Sequence, residues 1–297
     1  MPSRQPFTRL CGQIAGVRSA PRADLHVHTA RSDGTLPPAA VVALAREAGL
    51  AAVAVTDHDT LAGWAEAAAA AGDGPEVIPG VEITSEFRGR ELHLLGYFVR
   101  PDDPPLLAAL GRLAASRVGR FAEMVRRCRA LGLSVPEEGA ARLCAEGGRS
   151  LGRRHLAELL VAGGEARTVA GAFARHLQEG GPVAVPKDRL PAAEALQLVR
   201  EAGGVASWAH PPEDCTEEEV FALREMGLGA LEAEYPWPQA GRRWRLRRLA
   251  NSAGLAVSGG SDFHDPGAGR LPGACGIRAA ELERLRALAV QSTGVGS

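Results

Sequence analysis

Residues 23–28 (ADLHVH) and 51–56 (AAVAVT) are two short apolar segments with a helical stretch between them, and their order along the chain indicates the fold. The first alternates around Leu25 and Val27, as a strand does, and the second is a continuous apolar run typical of a buried strand. Two prolines predict the start of the intervening helix, over residues 37–48. Strands separated by helices usually pair in parallel, which predicts an α/β barrel or a doubly wound sheet.

The same alternation continues along the chain, with one interruption. Further strands are predicted at residues 77–84, 92–98, 205–209, 230–235 and 255–259. Residues 105–189 are instead helix-rich with glycine turn signals, which predicts a helical insertion. The barrel is then expected to consist of residues 23–104 and 190–290, with a disordered extension at 1–22 and a flexible tail at 291–297.

The composition is that of an ordinary globular chain. Of 297 residues, 45% are hydrophobic and 23% are charged, and the formal net charge is −1. Such a charge provides no strong overall field for nucleic acid or membrane, although it leaves room for a local basic patch. The five cysteines are scattered and form no C-x-x-C pair, which argues against a disulfide framework or a thiolate zinc site. No apolar run is long enough to span a membrane, and we expect a cytoplasmic protein.

The segment DLHVHTARSDG, residues 24–34, contains the first candidate metal ligands. Residues two apart in a strand face the same side, so His26 and His28 can reach one ion. Asp33 follows on the loop after the strand, and in parallel α/β folds functional side chains gather at the carboxyl ends of strands. An isolated H-x-H pair is a weak signal, but the trailing S-D-G strengthens the prediction of a metal site.

Three further motifs follow other predicted strands or begin one. TDHDT offers His58, with Asp57 as an acceptor that orients an imidazole. In GVEITS, Glu82 follows an apolar run, where an unpaired carboxylate is costly to bury and a metal would offset that cost. His93, in HLLGYF, is a single histidine at a strand start, so its interpretation depends on the rest of the set.

The segment SGGSDFHD, residues 258–265, repeats the logic of the first motif near the other end of the chain. Asp262 and His264 are two residues apart and follow a predicted strand. Gly260 lets the backbone approach a neighbour closely. This is the second strong signal for a metal site.

Two more histidines are ambiguous from local sequence. His155 lies in GRRHLAELL at a predicted helix start, where a lone histidine is more often a surface or core residue than a ligand. The adjacent Arg153 and Arg154 can bind phosphate in bidentate fashion. His210, in SWAHPP, ends a predicted strand, where it can contact substrate, donate a proton to a leaving group or simply pack.

Nine candidate ligands thus recur along the chain, and six of its eight histidines are among them: His26, His28, Asp33, His58, Glu82, His93, His155, Asp262 and His264. This selective use of histidine predicts two to three divalent ions, with Mn favoured and Fe or Zn as alternatives. A polynuclear site indicates hydrolysis at phosphorus or carbon. Asp262 and His264, together with Arg153 and His210, are the residues expected to be catalytic.

The motifs DLHVHTARSDG, TDHDT, GVEI, HLLGY, GRRH, AHP and GSDFH occur in the order found in the polymerase-and-histidinol-phosphatase (PHP) family of metal-dependent phosphoesterases, and residues 23–266 resemble that family. The resemblance implies a distorted seven-stranded (β/α) barrel with the ions at its carboxyl end. The helical insertion and GSDFH look most like the subgroup that removes phosphate from nucleoside 3′,5′-bisphosphates, members of which also trim short RNA from the 5′ end.

The resemblance also implies how the ligands are shared among three ions. The first ion would be held by His26, His28, Glu82 and Asp262. Glu82 would bridge to a second ion held by His93 and His155, and the third would be held by Asp33, His58 and His264.

The mechanism we expect is attack on phosphorus by a metal-bridging hydroxide, with the third ion, Arg153 and His210 neutralising the phosphoryl oxygens. The expected substrate is a phosphorylated small molecule or nucleotide, or short RNA, with no membrane partner. Two alternatives remain open at this point. One is a histidinol-phosphate phosphatase with the same site, and the other is a non-catalytic metal-dependent module that binds RNA.

Overall fold

The computed structural model describes residues 22–236 and 240–293. Within these ranges the chain forms nine strands: β1 (Arg22–Val27), β2 (Leu50–Val55), β3 (Glu76–Phe87), β4 (Arg90–Tyr97), β5 (Leu190–Pro191), β6 (Val205–Trp208), β7 (Ala230–Glu234), β8 (Ala256–Gly259) and β9 (Ile277–Arg278). The seven strands predicted from sequence are β1–β4 and β6–β8. Two additional strands, β5 and β9, are only two residues long.

The same ranges contain ten α-helices: α1 (Pro38–Glu47), α2 (Trp64–Ala71), α3 (Pro104–Ala130), α4 (Glu137–Ala145), α5 (Arg153–Ala162), α6 (Val169–His176), α7 (Ala192–Glu201), α8 (Glu217–Glu225), α9 (Ala240–Ser252) and α10 (Ala279–Thr293). Helix α1 starts with Pro38 in its first turn and stops before Gly49, whose φ is 67°. Asp103 caps the start of helix α3, and its side chain accepts a hydrogen bond from the Leu106 amide.

The strands form one sheet in the order β8-β7-β6-β4-β3-β2-β1-β9, with β5 beside β3. A parallel bridge between Val27, the last residue of β1, and Phe263, beyond the end of β8, brings the two sides of the sheet together. The sheet is therefore a nearly closed barrel, as the sequence predicted.

Strand β4 differs from the parallel pairing that the sequence predicted. It is antiparallel to both of its neighbours, β3 and β6. The reason is the link between β3 and β4, which consists only of Arg88 and Gly89, both with positive φ (52° and 76°). A two-residue turn of this kind can join antiparallel strands only, because a parallel connection needs a crossover of a dozen or more residues.

The insertion between β4 and β5 consists of α3 to α6 and has an apolar core of its own. Phe121 of α3, Leu143 of α4, Leu156 of α5 and Ala172 of α6 belong to one buried cluster. A different cluster joins the barrel strands to α10 through residues such as Leu285. The N-terminal half of α3 packs into the barrel core, so this helix connects the two parts.

The predicted extension at residues 1–22 lies outside the described residues, apart from Arg22 at the start of β1. Of the predicted tail at residues 291–297, the first three residues continue α10 and the last four lie outside the described residues. Among the helices of the described ranges, none has the length and hydropathy needed to cross a membrane.

Candidate metal centre

The carboxyl ends of β1, β2 and β8 meet at one end of the barrel and bring together histidine and carboxylate side chains. The donors form four groups, and within each group the ligand atoms lie within 4.8 Å of one another. The groups are His28, Asp33, His58 and His264; His26, His28 and Asp262; His26, Glu82 and His210; and His58, Glu82 and His93. These groups contain eight of the nine ligands predicted from sequence. The exception is His155, and His210 joins the set.

We call His26, His28 and Asp262 the barrel cluster. The Nε2 atoms of His26 and His28 are 3.1 Å apart, and each lies 3.4 Å from Oδ1 of Asp262. Both histidines are fully buried. Three donor atoms converging at these distances in the interior fit a cation, because imidazole and carboxylate groups are common ligands of divalent metals.

Glu232 of β7 fixes the orientation of His26. Its Oε1 lies 3.0 Å from Nδ1 of His26, and its Oε2 accepts a 2.6 Å hydrogen bond from the His210 amide. A proton on Nδ1 leaves Nε2 of His26 free to bind a cation. The sequence analysis missed Glu232, although a carboxylate within the apolar run ALEAE carries the same signal that identified Glu82.

The backbone around the barrel cluster is held by Asp24. Its carboxylate accepts hydrogen bonds from the amides of His26 (3.3 Å), Ser261 (2.9 Å) and Gly273 (2.7 Å). A Cβ at Gly260 would lie 2.3 Å from the backbone nitrogen of His26, so only glycine allows the two segments to approach this closely. These contacts join β1 directly to the loop that carries Asp262.

Glu82 lies between two sets of histidines. Its Oε2 is 3.3 Å from Nε2 of His26, 3.1 Å from Nε2 of His28 and 3.1 Å from Nδ1 of His58. Its Oε1 is 2.8 Å from Nδ1 of His93 and 3.0 Å from Nε2 of His210. Each oxygen thus serves a different set of imidazoles, which is the geometry of a carboxylate that bridges two cations.

We call Asp33, His58 and His264 the loop cluster, because all three follow strands. Asp33 Oδ1 is 3.3 Å from Nε2 of His264, and Asp33 Oδ2 is 3.8 Å from Nε2 of His58. The ring of His264 stacks on that of His28, with centroids 4.0 Å apart. His28 therefore connects the loop cluster to the barrel cluster.

Asp57 orients the loop that follows β1 and does not contact an imidazole directly. It accepts hydrogen bonds from the amide and hydroxyl of Thr29, both at 2.7 Å, and from the Ser32 hydroxyl at 2.7 Å. The Ser32 hydroxyl in turn lies 3.4 Å from Nδ1 of His28. The acceptor role expected for Asp57 is thus exerted through Ser32.

His155, at the start of α5, is not brought together with Glu82 and His93. Its Nδ1 accepts a 3.0 Å hydrogen bond from the Gly152 amide, so the proton of the neutral ring is on Nε2. That Nε2 is buried and has no hydrogen-bond partner among the described residues. Burial and the nearby Arg149 lower the pKa of His155 to about 4, which keeps the ring neutral.

Backbone strain is concentrated at this end of the barrel. Of the five described non-glycine residues with positive φ, three are at the centre: Asp59 (50°), His210 (28°) and Asp262 (50°). Such conformations are unfavourable for residues with a Cβ and persist where the surrounding structure holds them.

Comparison with known proteins agrees with this geometry. The PHP domain family matches residues 24–97. A 3′,5′-nucleoside bisphosphate phosphatase of Chromobacterium violaceum is 31% identical over 252 residues, which cover 83% of this chain and 88% of the relative. The chain belongs to the PHP family. The 5′-3′ exoribonuclease Rnm of Escherichia coli is 33% identical over 251 residues, covering 82% of this chain and 85% of that protein.

The same relationship is found among solved structures. A protein of Bifidobacterium adolescentis described as a metal-dependent phosphoesterase superposes with a TM-score of 0.84 at 30% identity. The match covers 91% of this chain and 96% of that structure, so it includes the helical insertion as well as the barrel. The PHP chain is accordingly a metal-dependent phosphoesterase.

The electrostatics of the PHP site are those of a cation site. Burial by itself would lower the pKa of His28, but Asp262 and Glu82 raise it to about 10. Burial likewise opposes the effect of Glu82 on His93, whose pKa is raised to about 9. Burial raises the pKa of Asp262, yet His26 and His28 hold it below its usual value. The carboxylates thus stabilise positive charge at this position, whether it comes from protons or metal ions.

A basic cavity of about 970 Å³ borders the centre and is lined in part by His93 and His210. Its lining includes six cationic side chains and two carboxylates: Arg90, Arg120, Arg127, Arg153, Lys187 and Arg189, with Glu91 and Glu179. Burial, followed by the charges of Arg153 and Arg117, lowers the pKa of Arg120 to about 10. An anion in the cavity would relieve this repulsion between guanidinium groups.

Arg153 is the cavity residue that the sequence singled out. Its Nη2 lies 3.3 Å from Glu179, whose side chain is 85% exposed. Its guanidinium also lies over the ring of Phe173, 5.9 Å from the centroid. Because an ion pair with so exposed a carboxylate is weak, Arg153 keeps most of its capacity to bind an anion.

Proposed function

We propose that this PHP enzyme removes phosphate from nucleoside 3′,5′-bisphosphates and trims short RNA from its 5′ end. Two relatives with these named activities are similar to the chain over more than four-fifths of its length. The observation that carries the proposal is the basic cavity beside the metal centre. A substrate with one phosphate at the metal centre and a second phosphate in the cavity would complement the positive charge of both sites.

The proposed metal complement is three divalent cations, with Mn favoured by the mixture of imidazole and carboxylate donors. The barrel cluster with Glu82 Oε2 would hold one ion, and the loop cluster would hold another. For the third ion we assign Glu82 Oε1, His93 and His210, because Nδ1 of His93 and Nε2 of His210 lie 2.8 and 3.0 Å from that oxygen. Nδ1 of His155 instead accepts a hydrogen bond from the Gly152 amide. When bound, such ions supply Lewis acidity and activate water at neutral pH.

The protein groups then have distinct tasks. Glu82 joins the sets of imidazoles, and Glu232 keeps the coordinating nitrogen of His26 free of a proton. Arg153 and Arg120 lie in the cavity lining, where guanidinium groups can hold a second phosphate. Phosphoryl transfer needs positioning and charge stabilisation, so no protein nucleophile is required.

The experiment is a phosphate-release panel in Mn²⁺ with an adenosine 3′,5′-bisphosphate, p-nitrophenyl phosphate, histidinol phosphate and short 5′-phosphorylated RNA. We expect the highest kcat/KM for the bisphosphate, with 5′ trimming of the RNA. Arg153→Gln should raise KM for the bisphosphate about 10- to 100-fold, the worth of a charge-assisted hydrogen bond, and leave p-nitrophenyl phosphate unaffected. The matched control is Arg126→Gln, because Arg126 is an exposed arginine of α3 that pairs with Glu123.

The other outcomes of the panel correspond to the alternatives. Faster release from histidinol phosphate than from the bisphosphate would replace the proposed substrate class with a singly phosphorylated amino alcohol. Tight RNA binding without cleavage in Mn²⁺ would identify a binding module instead of an enzyme. An equal effect of Arg153→Gln on p-nitrophenyl phosphate would remove the cavity from the substrate site.

A further inference from the structure

The helical insertion contacts the neighbours of all three residues in the loop cluster. The first contact comes from Arg117 in the middle of α3. Its Nε donates a 2.6 Å hydrogen bond to Oδ2 of Asp59, which directly follows His58 in the chain. Its Nη2 donates at 2.8 Å to the hydroxyl of Thr84, whose amide and hydroxyl also bond to Asp59. Asp59 is fully buried and Arg117 nearly so, so this ion pair holds the His58 loop from the insertion side.

The second contact is made by Arg154 in the first turn of α5. Its Nη2 is 2.5 Å from Oδ2 of Asp265, the residue after His264. The other oxygen of Asp265 accepts a 2.7 Å hydrogen bond from the Gly267 amide. The Arg154 pair therefore ties α5 to the turn that carries His264.

The third contact involves the loop of Asp33. The amide of Ser150, just before α5, donates a 2.8 Å hydrogen bond to the carbonyl of Arg31. The same stretch of the insertion includes His155, whose Nδ1 accepts a hydrogen bond from the Gly152 amide. The proton of the neutral ring is therefore on the buried Nε2, which is not available as a lone pair.

The barrel cluster is held differently. His26 and the loop of Asp262 are fixed by Asp24 and Glu232, which belong to β1 and β7. The insertion thus supports one set of ligands, whereas the barrel strands support the other.

We propose that the helical insertion is a positioning device for the cation at the loop cluster, with Arg117 and Arg154 as positioning residues. His155, whose Nδ1 accepts the Gly152 amide, belongs to the start of α5 and does not bind a cation. The proposal rests on the metal centre of the proposed function but not on its substrate. It predicts that weakening the contacts of the insertion lowers the occupancy of one cation position and leaves the barrel cluster loaded.

The experiment measures Mn²⁺ bound per chain by elemental analysis after equilibrium dialysis, at a series of free Mn²⁺ concentrations. Arg117→Gln and Arg154→Gln should weaken the binding of one equivalent about 10- to 100-fold, as expected when support for metal ligands is removed. The remaining equivalents should bind as in the wild type. Arg154→Lys should restore part of the lost affinity, because it keeps a charge beside Asp265. Arg126→Gln is the control for loss of an arginine from the same helix as Arg117.

Kinetics provide the second readout. With p-nitrophenyl phosphate, kcat of Arg154→Gln should recover as free Mn²⁺ is raised, which a general folding defect would not show. Wild-type Mn²⁺ binding in both glutamine variants, or equal weakening of every equivalent, would overturn the proposal. A wild-type protein that binds no Mn²⁺, Fe²⁺ or Zn²⁺ would instead overturn the metal centre itself, so the two failures are distinguishable.

His155 is tested separately by His155→Gln, which keeps an acceptor for the Gly152 amide but is a poor metal ligand. We expect it to retain Mn²⁺ stoichiometry better than His155→Ala. Loss of a whole equivalent in both variants alike would mean that His155 is a ligand after all.

Discussion

The barrel cluster and the loop cluster lie side by side and use the same kinds of donor, but different parts of the chain hold them. In the barrel cluster, His26 is part of β1 and its ring is fixed by Glu232 of the same sheet. In the loop cluster, every ligand follows a strand, and the nearby backbone or carboxylates are held by α3, α5 and the segment before α5. A ligand on a strand, or on a loop bonded to a strand as Asp262 is through Asp24, takes its precision from the sheet. The loops of the loop cluster take their support from the insertion instead.

This difference gives the insertion two tasks. It contributes Arg120, Arg127 and Arg153 to the basic cavity, and it supports the loop cluster through Arg117 and Arg154. The surface that binds the substrate and the support of one cation position therefore belong to the same helical unit. The barrel cluster depends on the strands of the sheet instead.

The largest effect is expected from removing a ligand of the barrel cluster. Asp262→Asn or His26→Ala should lower kcat by about a thousandfold or more, since a metal ion contributes several kcal/mol to charge stabilisation. Phosphate release in saturating Mn²⁺ measures this. His176→Ala is the matched control, because His176 hydrogen-bonds to the Glu165 carbonyl within the insertion and the variant should remain fully active. Near-normal activity of either ligand variant would contradict the assignment.

A smaller effect is expected from the support of the barrel cluster. Glu232→Gln removes the charge that fixes Nδ1 of His26, so Mn²⁺ affinity should fall about 10- to 100-fold while saturating Mn²⁺ restores most of kcat. Dialysis and kinetics at graded Mn²⁺ concentrations measure this change. If Glu232→Gln affected the same equivalent as Arg154→Gln, the two clusters would not be supported independently.

The pH dependence of metal binding follows from the raised pKa values of His28 (about 10) and His93 (about 9). Both imidazoles hold protons at pH 7 in the metal-free protein, and a metal ion must displace them. Mn²⁺ affinity should therefore rise with pH, by about tenfold per unit for each displaced proton below these values. In the metal-free protein the sign is opposite: the stabilisation from protonated His28 and His93 is complete below about pH 6.5 and is lost as pH rises through 9 to 10.

Calorimetric titration with Mn²⁺ in buffers of different ionisation enthalpy measures the protons released. We expect release near pH 7 and progressively less above pH 10. Affinity that is independent of pH between 6.5 and 9 would mean that these histidines are not displaced by metal.

The smallest effect on metal binding is expected from a matched pair of core substitutions. Leu156 in the insertion core and Leu285 in the core beside the barrel are both fully buried. Each Leu→Ala change should cost about 2–5 kcal/mol of unfolding free energy. Only Leu156→Ala should also reduce Mn²⁺ occupancy at the loop cluster. Denaturant unfolding and bound Mn²⁺ measure the two quantities, and an equal loss of Mn²⁺ in both variants would break the comparison.

The sequence predicted most of the barrel because its signals are local. Alternation at β1, the apolar run at β2 and the H-x-H and D-x-H pairs each require only a few adjacent residues. The antiparallel β4 was missed because the two-residue turn at Arg88 and Gly89 was not interpreted as a hairpin. Glu232 was missed because its carboxylate in a buried strand was not recognised as the counterpart of Glu82.

The assignment between His155 and His210 could not be made from sequence. Neither local sequence tells which histidine is the metal ligand. That depends on how far α5, which carries His155, and the end of β6, which precedes His210, lie from Glu82 in space. The role of Arg117 is equally non-local. From sequence, an arginine on a long amphipathic helix is expected to be exposed to solvent. Arg117 is buried against Asp59 only because α3 packs against the His58 loop.

The most direct test follows phosphate release from a nucleoside 3′,5′-bisphosphate while metal-free protein is titrated with Mn²⁺, in the wild type and in Glu82→Gln. Glu82 contacts both sets of imidazoles, so the wild type should become active only as more than one Mn²⁺ binds per chain, and Glu82→Gln should stay inactive at saturation. Full activity of the wild type in the presence of a chelator, or Glu82→Gln activity within tenfold of the wild type, would contradict a bridged metal centre.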